Sequence, residues 1–406
     1  MKRNHIYIIL SILIISFLVV CNFHRDIYEP ENKTSLTEDV FQSDEILEDV
    51  PVEDTSEKVP ENTQATILAT GDIMFHMPQI RGAYDENIGK YDFKHNFEYV
   101  KKYIKSADLA VANFETVTAG EDIPYSGFPN FNSPVETLDA IKYAGFHMLT
   151  TSNNHCLDQG KKGLLNTISA IEERGLINIG TYKEPAEDIF MMDINNIKIA
   201  LLSYTYGFNG MGYTLTEEEQ KYMVRKIDED RIEHDIQKTK DKGADIVVVF
   251  IHWGNEYQRE PSEEQIKLGR KMVQWGANII LGSHPHVIQR SEIIQYNGKD
   301  NYIIYSMGNF LSNQRRETMD NKYTEDGVMV KLILEKDYSK KQTIIQDIEY
   351  IPTWVRRYKQ DGRWVYQILP VKEFLNNEKL LSTIGKLEIN RIEESLENTL
   401  TNLGEN

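Results

Sequence analysis

Residues 245–254 read DIVVVFIHWG. The apolar run is too continuous for a strand with one solvent-facing side, so we expect a central strand that is covered on both faces. The strand leads into His252, a residue type that binds metal ions and transfers protons. This stretch therefore predicts a covered sheet with a functional side chain at the end of a strand.

Short apolar runs elsewhere in the chain are also interpreted as strands, and several of them end at polar residues. Windows with apolar residues at helical spacing lie between them, with capping signals at Ser133 and Ser262. Strands that alternate with helices indicate an α/β architecture. The predicted strands are 65–70, 109–113, 147–152, 278–281 and 302–306.

The second half of the chain adds strands without intervening helices. A hairpin is expected around Asn195-Asn196, and alternating strands are expected at 287–295, 327–334 and 343–350. We therefore expect a mixed sheet or a two-sheet sandwich flanked by helices. From Val371 onward the apolar spacing is helical.

Composition and charge narrow the class of partner. The chain has 406 residues, of which 40% are hydrophobic, enough for a sizeable core. It carries 45 lysines and arginines against 63 acidic residues, a formal charge of −18, which argues against nucleic acid as a partner because phosphate binding needs a basic surface. Two cysteines, Cys21 and Cys156, do not make a disulfide scaffold.

The N-terminus has the pattern of an export signal. Lys2 and Arg3 precede a nearly unbroken apolar run, 6–20, and Cys21 follows. Such a run, about 15 residues, is slightly short for a spanning helix. Three interpretations of residues 1–21 stay open: a lipoprotein signal cleaved before an acylated Cys21, an uncleaved membrane anchor, and ordinary secretion. All three place the folded part outside the cytoplasm.

Residues 22–64 lack apolar periodicity. They are rich in Glu, Asp, Ser, Thr and Pro, and residues 31–64 alone hold eleven acids and two lysines, a net charge of −9. Such a segment does not bury enough apolar surface to offset its ordering entropy. We therefore expect a disordered acidic linker at 22–64 that holds the folded domain away from the membrane.

Side chains of metal-ligand type recur where the predicted strands end. Because binding residues of open α/β sheets gather beyond the carboxyl ends of strands, we expect these side chains to converge in one crevice. The mixture of imidazole, carboxylate and amide groups suits Zn, Mn or Fe rather than Ca. His284 and His286 are expected to point the same way, because alternate residues of an extended segment do. The residues concerned are Asp72, Glu115, Asn154, His155, Asp158, His252, His284 and His286.

Six motifs, in this order, make the chain similar to a known family. The motifs are Gly71-Asp72, Asn113-Phe114-Glu115, Ser152-Asn153-Asn154-His155, His252-Trp253-Gly254, Gly282-Ser283-His284-Pro285-His286 and Ser306-Met307-Gly308-Asn309-Phe310. Because of these motifs, the chain resembles the CapA family of capsule (poly-γ-glutamate) synthesis proteins, which look like calcineurin-type metallophosphoesterases. The resemblance covers roughly residues 65–334. It implies a metallophosphoesterase-like four-layer αββα sandwich with mixed sheets in a domain at 65–370, followed by a helical segment at 371–406.

The resemblance also implies roles for individual residues. Asp72 resembles the first aspartate ligand, and Glu115 stands where the superfamily places a carboxylate that bridges two cations. His155 resembles the catalytic histidine that protonates a leaving oxygen. The implied cofactor is one or two divalent transition-metal ions, Mn, Zn or Fe. The implied metal ligands are Asp72, Glu115, Asn154, His252, His284 and His286.

The chain departs from the superfamily pattern in two motifs. The usual Asp-x-His is Asp72-Ile73-Met74 here, and Asn113-Phe114-Glu115 stands in place of a Gly-Asp motif. A single-metal centre, or one that binds without hydrolysing, is therefore an alternative to a catalytic pair of ions. The additional candidate ligands are His76, Asp158 and Asn309.

Three functions are compatible with these features. The first is a membrane-tethered, extracytoplasmic CapA-like protein that serves synthesis or export of an anionic polymer such as poly-γ-glutamate. The second is a cell-surface, metal-dependent phosphoesterase that acts on a nucleotide, a sugar phosphate or a cell-wall phosphodiester. The third is a non-catalytic scaffold that contacts membrane-embedded polymer synthase subunits. The expected partners are accordingly an anionic polymer or phosphorylated substrate, synthase subunits, and the membrane through the N-terminus.

Overall fold

The structure is a computed structural model that describes residues 60–185 and 189–405. The signal or anchor predicted at 1–21, with its Cys21, lies outside these residues, as does most of the linker predicted at 22–64. Thr63 and Gln64, the last two residues assigned to that linker, instead begin the first strand, because they pair with a strand from later in the chain. Within the described ranges, no helix combines the length and the apolar composition of a membrane span.

Helices and strands alternate in the first half, and strands dominate the second half. The strands are β1 Thr63–Ile73, β2 Tyr84–Asp85, β3 Lys90–Tyr91, β4 Leu109–Phe114, β5 Met148–Thr150, β6 Ile177–Ile179, β7 Met191–Ile194, β8 Ile197–Thr205, β9 Ile246–His252, β10 Ile279–Ser283, β11 Ile288–Tyr296, β12 Lys299–Met307, β13 Asn309–Leu311, β14 Asp326–Asp337, β15 Gln342–Gln360 and β16 Arg363–Pro370. The helices are α1 Met77–Ala83, α2 Lys101–Lys105, α3 Glu136–Ala144, α4 Gly160–Glu173, α5 Glu217–Tyr222, α6 Glu229–Asp241, α7 Glu263–Trp275, α8 Arg316–Met319, α9 Val371–Leu375, α10 Glu378–Leu381 and α11 Lys386–Leu403.

Most of these strands form two large sheets, and β2 and β3 pair only with each other. The first has the order β16-β15-β14-β1-β4-β5-β6, with β13 also paired to β1, and the second has the order β11-β12-β10-β9-β8-β7. In the first sheet, β1 runs parallel to β4 and antiparallel to β14. In the second sheet, β12 runs parallel to β10 and antiparallel to β11. The prediction of mixed sheets is therefore confirmed.

The two sheets pack face to face, and helices cover their outer faces. Ile67 of β1 and Val248 of β9 belong to one buried cluster between the sheets. Leu68, on the other face of β1, packs in a second cluster with Ile141 of α3. A third cluster joins the outer face of the second sheet to α6 and α7. Successive side chains of a strand point to opposite faces of its sheet, so both faces of each sheet are buried. The result is the predicted four-layer αββα arrangement.

The strand predicted at the centre of a sheet, β9, is buried along its whole length. Val248 and Phe250 face the cluster between the sheets, whereas Val247, Val249 and Ile251 face the helices. The continuous apolar run is explained by this two-sided burial, as predicted.

Of the two predicted helix caps, one forms and one does not. The Ser262 hydroxyl accepts the N–H of Gln265 at 3.3 Å, and the Gln265 side chain accepts the N–H of Ser262 at 2.9 Å, so a capping box starts α7. Ser133 caps nothing, because its buried hydroxyl instead bonds the Thr116 hydroxyl at 2.8 Å and α3 begins at Glu136.

Parallel pairing brings the ends of several strands to one side of the molecule. β1, β4 and β5 are parallel neighbours in the first sheet, and β8, β9 and β10 are parallel neighbours in the second. The carboxyl ends of parallel strands share one edge of a sheet, so the residues there lie near one another. Those at or just beyond these ends are Asp72, Glu115, Asn154, His252 and His284.

Candidate metal centre

Asp72 is positioned by a close approach between β1 and the turn that joins β12 to β13. A Cβ atom at Gly71 would lie 1.9 Å from the carbonyl oxygen of Gly308, so only glycine fits there. The N–H of Asp72 donates to that same oxygen at 3.0 Å. The two glycines thus fix a fully buried carboxylate where β1 ends.

Asp72 and His286 form a buried ion pair. Oδ2 of Asp72 lies 3.1 Å from Nδ1 of His286, and Oδ1 accepts the side-chain amide of Asn113 at 2.7 Å. Burial alone would raise the pKa of Asp72, but the hydrogen bond and charge of His286 lower it to about 2. Burial alone would lower the pKa of His286, but the charge of Glu115 and the contact with Asp72 raise it to about 9.

Glu115 is a buried carboxylate without a hydrogen-bond partner. It is 0% exposed, and neither carboxylate oxygen accepts a hydrogen bond. Its Oε1 lies 3.4 Å from Nε2 of His252 and 3.8 Å from Nε2 of His286. Burial, together with the charge of Asp72, raises the pKa of Glu115 well above its ordinary value. Because an unpaired buried carboxylate is costly, a cation at this position would stabilise it.

His252 is held in one orientation by three polar side chains. Its Nδ1 lies 3.3 Å from the amide nitrogen of Asn113 and 3.0 Å from the Ser283 hydroxyl, and its Nε2 lies 2.9 Å from Oδ1 of Asn154. The Ser283 hydroxyl can accept the proton of Nδ1, which would leave the lone pair of Nε2 to bind a cation. Burial lowers the pKa of His252 to about 3, so the ring is neutral, the form that ligates metals.

The His284-Pro285-His286 segment is not extended, so that part of the sequence prediction is wrong. His284 has φ 97° and His286 has φ 57°, in a turn that follows β10. Residues other than glycine rarely adopt this left-handed region, and such strain is concentrated at functional sites. The ring centroids lie 5.9 Å apart, and Nδ1 of His284 is buried without a hydrogen-bond partner.

Two groups of side chains are close enough to hold a metal ion. Glu115, His284 and His286 form one group, and Asp72, Glu115 and His252 form the other; within each, the ligand atoms lie within 4.8 Å of one another. Glu115 belongs to both groups, as a bridging ligand would. Imidazole and carboxylate donors with unpartnered buried atoms fit a divalent transition metal. The structure thus brings together the six residues named as ligands. Five of them belong to the two groups, and the sixth, Asn154, contacts His252 at 2.9 Å.

His155 forms a second ionisable pair beside this cluster. Its Nδ1 lies 2.7 Å from Oδ2 of Asp158, which also accepts the N–H of Phe131 at 2.7 Å. The Phe131 ring meets the His155 ring edge-on at 4.8 Å. Asp158, named as an additional candidate ligand, therefore orients His155 and is in neither metal-binding group.

The other two additional candidates have different surroundings. Nδ1 of His76 lies 3.3 Å from Oε1 of Gln79, and burial lowers the pKa of His76 to about 4. Oδ1 of Asn309 lies 3.1 Å from Nδ1 of His286, while its Nδ2 donates to Gln314 at 3.0 Å. His76 is in neither metal-binding group of the described residues, and Asn309 contacts a candidate ligand.

Sequence reasoning assigned no role to Asn113 or Gln314. Asn113 joins Asp72 to His252, and its position in the Asn-Phe-Glu motif, two residues before Glu115, was the signal that could have found it. Gln314 bonds Asn309 and also donates to the Tyr257 hydroxyl at 3.3 Å. It lies in a loop without a motif, so the sequence carries no signal for it.

Comparison with known sequences identifies relatives over the region that holds this cluster. A family model described as "Bacterial capsule synthesis protein PGA_cap" matches residues 66–314. "Capsule biosynthesis protein CapA" of Bacillus anthracis is 35% identical over 265 residues, 63% of this chain and 61% of that protein. "PGA biosynthesis protein CapA" of Bacillus subtilis (strain 168) is 31% identical over 246 residues, 59% of this chain and 61% of that protein. The chain thus spans about three-fifths of the length of these two relatives.

Comparison with solved structures finds weaker likenesses. A novel phosphatase from Mycoplasma pneumoniae has a TM-score of 0.43 and 16% sequence identity, covering 78% of this chain and 98% of that chain. The calcineurin-like phosphoesterase YfkN of Bacillus subtilis has a TM-score of 0.36 and 16% identity, covering 82% of this chain and 99% of that chain.

Proposed function

The chain belongs to the PGA_cap family of bacterial capsule synthesis proteins, and we propose that it serves synthesis or export of an anionic capsule polymer through a metal centre. The observation that carries the proposal is Glu115, a buried carboxylate without a hydrogen-bond partner that is shared by two groups of candidate ligands. The names of the two Bacillus relatives support the capsule role. We further propose poly-γ-glutamate as the polymer.

Six residues would hold the metal in this proposal. A divalent cation there would neutralise charge on the oxygens of a phosphoryl or carboxyl group. Asp72 and His286 are already aligned through a 3.1 Å contact, and Asn113 and Ser283 keep the His252 ring in place. Imidazole with carboxylate favours Mn, Zn or Fe. The proposed ligands are Asp72, Glu115, Asn154, His252, His284 and His286.

His155 is the proposed general acid. Its Nδ1 faces Oδ2 of Asp158, so Asp158 fixes the orientation of the ring and leaves Nε2 to give a proton to a leaving oxygen. The N–H of Phe131 donates to the same Asp158 oxygen and holds that carboxylate in place. Burial of this pair limits the access of water to the proton.

The His155–Asp158 pair also favours a second candidate function, a metal-dependent phosphoesterase at the cell surface. A protein that only bound polymer would have no need for a histidine oriented by a carboxylate next to candidate metal ligands. The substrate would then be a nucleotide, a sugar phosphate or a cell-wall phosphodiester.

We also propose that the protein is held at the outer face of the cell membrane through its N-terminal region, with Cys21 as the lipidation site. The expected partners there are membrane-embedded polymer synthase subunits. Radiolabelled palmitate should enter the wild-type protein and not Cys21→Ser. Label in both proteins, or in neither, would contradict acylation of Cys21.

Metal analysis of the purified full-length protein tests the centre. We expect about one or two divalent ions per chain, and far fewer in His286→Ala. His234→Ala removes a histidine from the exposed face of α6 and should leave the metal content unchanged. Equal metal content in the two variants would contradict the proposed centre.

Hydrolysis of an aryl phosphodiester separates the candidate functions. A phosphoesterase predicts turnover that requires Mn²⁺ and is lost in His155→Ala while the metal content stays that of the wild type. Metal binding without turnover in the wild-type protein would contradict the phosphoesterase and leave the capsule proposal intact.

A further inference from the structure

The loop before α3 is fixed by hydrogen bonds next to His155. Ser126 and Asn132 exchange two backbone hydrogen bonds, of 3.0 and 2.9 Å. The Asn132 side chain also accepts the N–H of Ala119 and donates to the carbonyl of Ile123, both at 2.8 Å. The position of the loop tip is therefore set by the fold.

This loop presents a phenylalanine to solvent beside the proposed general acid. Phe128 is 69% exposed, and its ring centroid lies 6.4 Å from that of His155. Phe131, from the same loop, is fully buried and bonds Asp158 through its N–H. The loop thus holds the His155–Asp158 pair and places an exposed apolar ring next to it.

A second exposed aromatic ring, that of Tyr206, lies against two of the candidate metal ligands. Tyr206 is 40% exposed, and its ring lies 4.6 Å from that of His284 and stacks on that of His252 at 6.2 Å. Single exposed apolar side chains are common on proteins, but one ring beside the proposed general acid and another on two candidate metal ligands indicate a contact surface for a ligand.

The loop that carries Phe128 has no basic side chain of its own, and its Asp122 lies 3.9 Å from Lys162 of α4. Residues 119–132 include Glu121 and Asp122 and contain no lysine or arginine. The loop thus offers no basic partner to an anionic group, whereas a neutral ring would gain from contact with the exposed phenylalanine.

From these contacts we propose that Phe128 determines specificity by packing on a neutral, flat ring in the leaving group of the substrate. The inference rests on the second candidate function, the phosphoesterase, because it takes His155 as the group that protonates the leaving oxygen of a phosphoester. The leaving group then lies on the His155 side, where the Phe128 ring is exposed. The substrate class is a phosphoester whose leaving group carries an aromatic or similarly planar ring.

Binding of two phosphonates to the Mn²⁺-loaded full-length protein, measured by isothermal titration calorimetry, tests this without relying on turnover. Benzylphosphonate carries the ring and ethylphosphonate does not. We expect the wild type to bind benzylphosphonate about tenfold more tightly. Phe128→Ala should lose that preference and keep its affinity for ethylphosphonate, whereas Phe128→Tyr should retain the preference.

Tyr296→Ala is the matched control, because Tyr296 is an exposed aromatic residue. It is the last residue of β11, whereas the first residue, Ile288, lies next to the His284–His286 turn. The control variant should keep the wild-type preference. An equal preference in Phe128→Ala and the wild type would overturn the role of Phe128 and leave the proposed function standing. Failure of both phosphonates to bind the wild type would overturn the inference together with the phosphoesterase, and would leave the capsule proposal intact.

Discussion

Glu115 distinguishes a metal centre from a cluster of structural hydrogen bonds. Asp72, His252 and His286 all have polar partners within 3.1 Å, whereas both carboxylate oxygens of Glu115 have none. Buried polar atoms in folded proteins are nearly always paired. A carboxylate kept unpaired between histidines is therefore best explained by a cation that it binds.

Glu115→Gln should separate metal binding from folding. The amide keeps the shape of the side chain but cannot act as an anionic ligand, so the affinity for Mn²⁺ should fall. Loss of a residue that only hydrogen-bonds to a ligand lowers metal affinity by roughly 10–100-fold, and loss of the ligand itself should lower it further. Without metal, the melting temperature should stay near that of the wild type, because burial raises the pKa of Glu115 and the neutral amide has the shape of the neutral carboxyl group. Titration calorimetry and thermal unfolding in chelator measure the two effects.

Glu349→Gln is the control for that experiment, because Glu349 is an exposed residue that pairs with Lys331. It should leave the metal affinity unchanged. A Glu115→Gln variant that bound Mn²⁺ as tightly as this control would mean that Glu115 is not a ligand.

Asp158→Asn should reduce turnover without removing metal. Asp158 contacts Nδ1 of His155 and lies in neither metal-binding group, so its loss should lower kcat by about 10²–10⁴-fold at unchanged metal content. Steady-state kinetics with metal analysis measure both quantities. Asp122→Asn, at an exposed aspartate, should change neither. A large fall in metal content would instead make Asp158 a ligand.

At the level of residues, the sequence predicted which side chains converge better than how they are oriented. Asp72 and His252 follow from strand ends and motif order, because parallel pairing brings those ends together. The left-handed backbone of His284 and the unpartnered state of Glu115 depend on contacts between distant segments. No local pattern in the sequence encodes such contacts.

At the level of elements, β14 links the first sheet to the C-terminal helix. Its first residue, Asp326, is buried near Ser395 of α11. Burial raises the pKa of Asp326 to about 8, and the charge of Glu325 adds to the rise while the nearby Ser395 hydroxyl and the charge of Arg316 oppose it. The carboxyl group is therefore protonated in the folded protein over a pH range in which it is ionised in the unfolded chain.

This shift predicts how stability depends on pH. The stabilising contribution is fully present below the ordinary pKa of aspartate, 3.8, and is lost as pH rises towards about 8, by at most about 1.4 kcal/mol per pH unit. Asp326→Asn should remove this slope and gain stability over the wild type as pH increases. Denaturant unfolding at pH 5 and pH 8 measures it, with Asp300→Asn, at an exposed aspartate, as the control. Parallel slopes in the wild type and Asp326→Asn would contradict the assignment.

Strands were predicted more reliably than helix starts. β9 was recognised because its apolar run reports two-sided burial, which is a property of the strand itself. The spacing around Ser133 predicts a helix cap, but the Ser133 hydroxyl bonds the buried Thr116 hydroxyl instead of a backbone N–H of the helix. A cap signal is local, and a tertiary partner overrides it.

At the level of the whole molecule, the folded unit extends beyond the residues that the family match covers. The match ends at residue 314, yet β14 pairs with β1 along Thr63–Thr70 and β15 and β16 extend the same sheet. Trp354 and Phe374 belong to a further buried cluster formed with the C-terminal helices. The strand that carries Asp72 therefore depends on segments outside the matched region.

A chain that ends at Gln314 should accordingly fail to fold. It would leave β1 without its antiparallel neighbour and expose the apolar residues that β14 buries. Circular dichroism on heating should find no cooperative transition for this chain, whereas a chain that ends at Gly404 should melt like the full-length protein. A cooperative transition near that of the full-length protein would show that the matched region folds alone.

The most direct test of the metal centre is anomalous diffraction from crystals of the protein grown with Mn²⁺. We expect one or two anomalous peaks at Glu115, within ligand distance of side chains from both groups: His284 and His286, and Asp72 and His252. Crystals without a peak at Glu115 under saturating Mn²⁺, or with manganese bound only elsewhere, would contradict the existence of the centre.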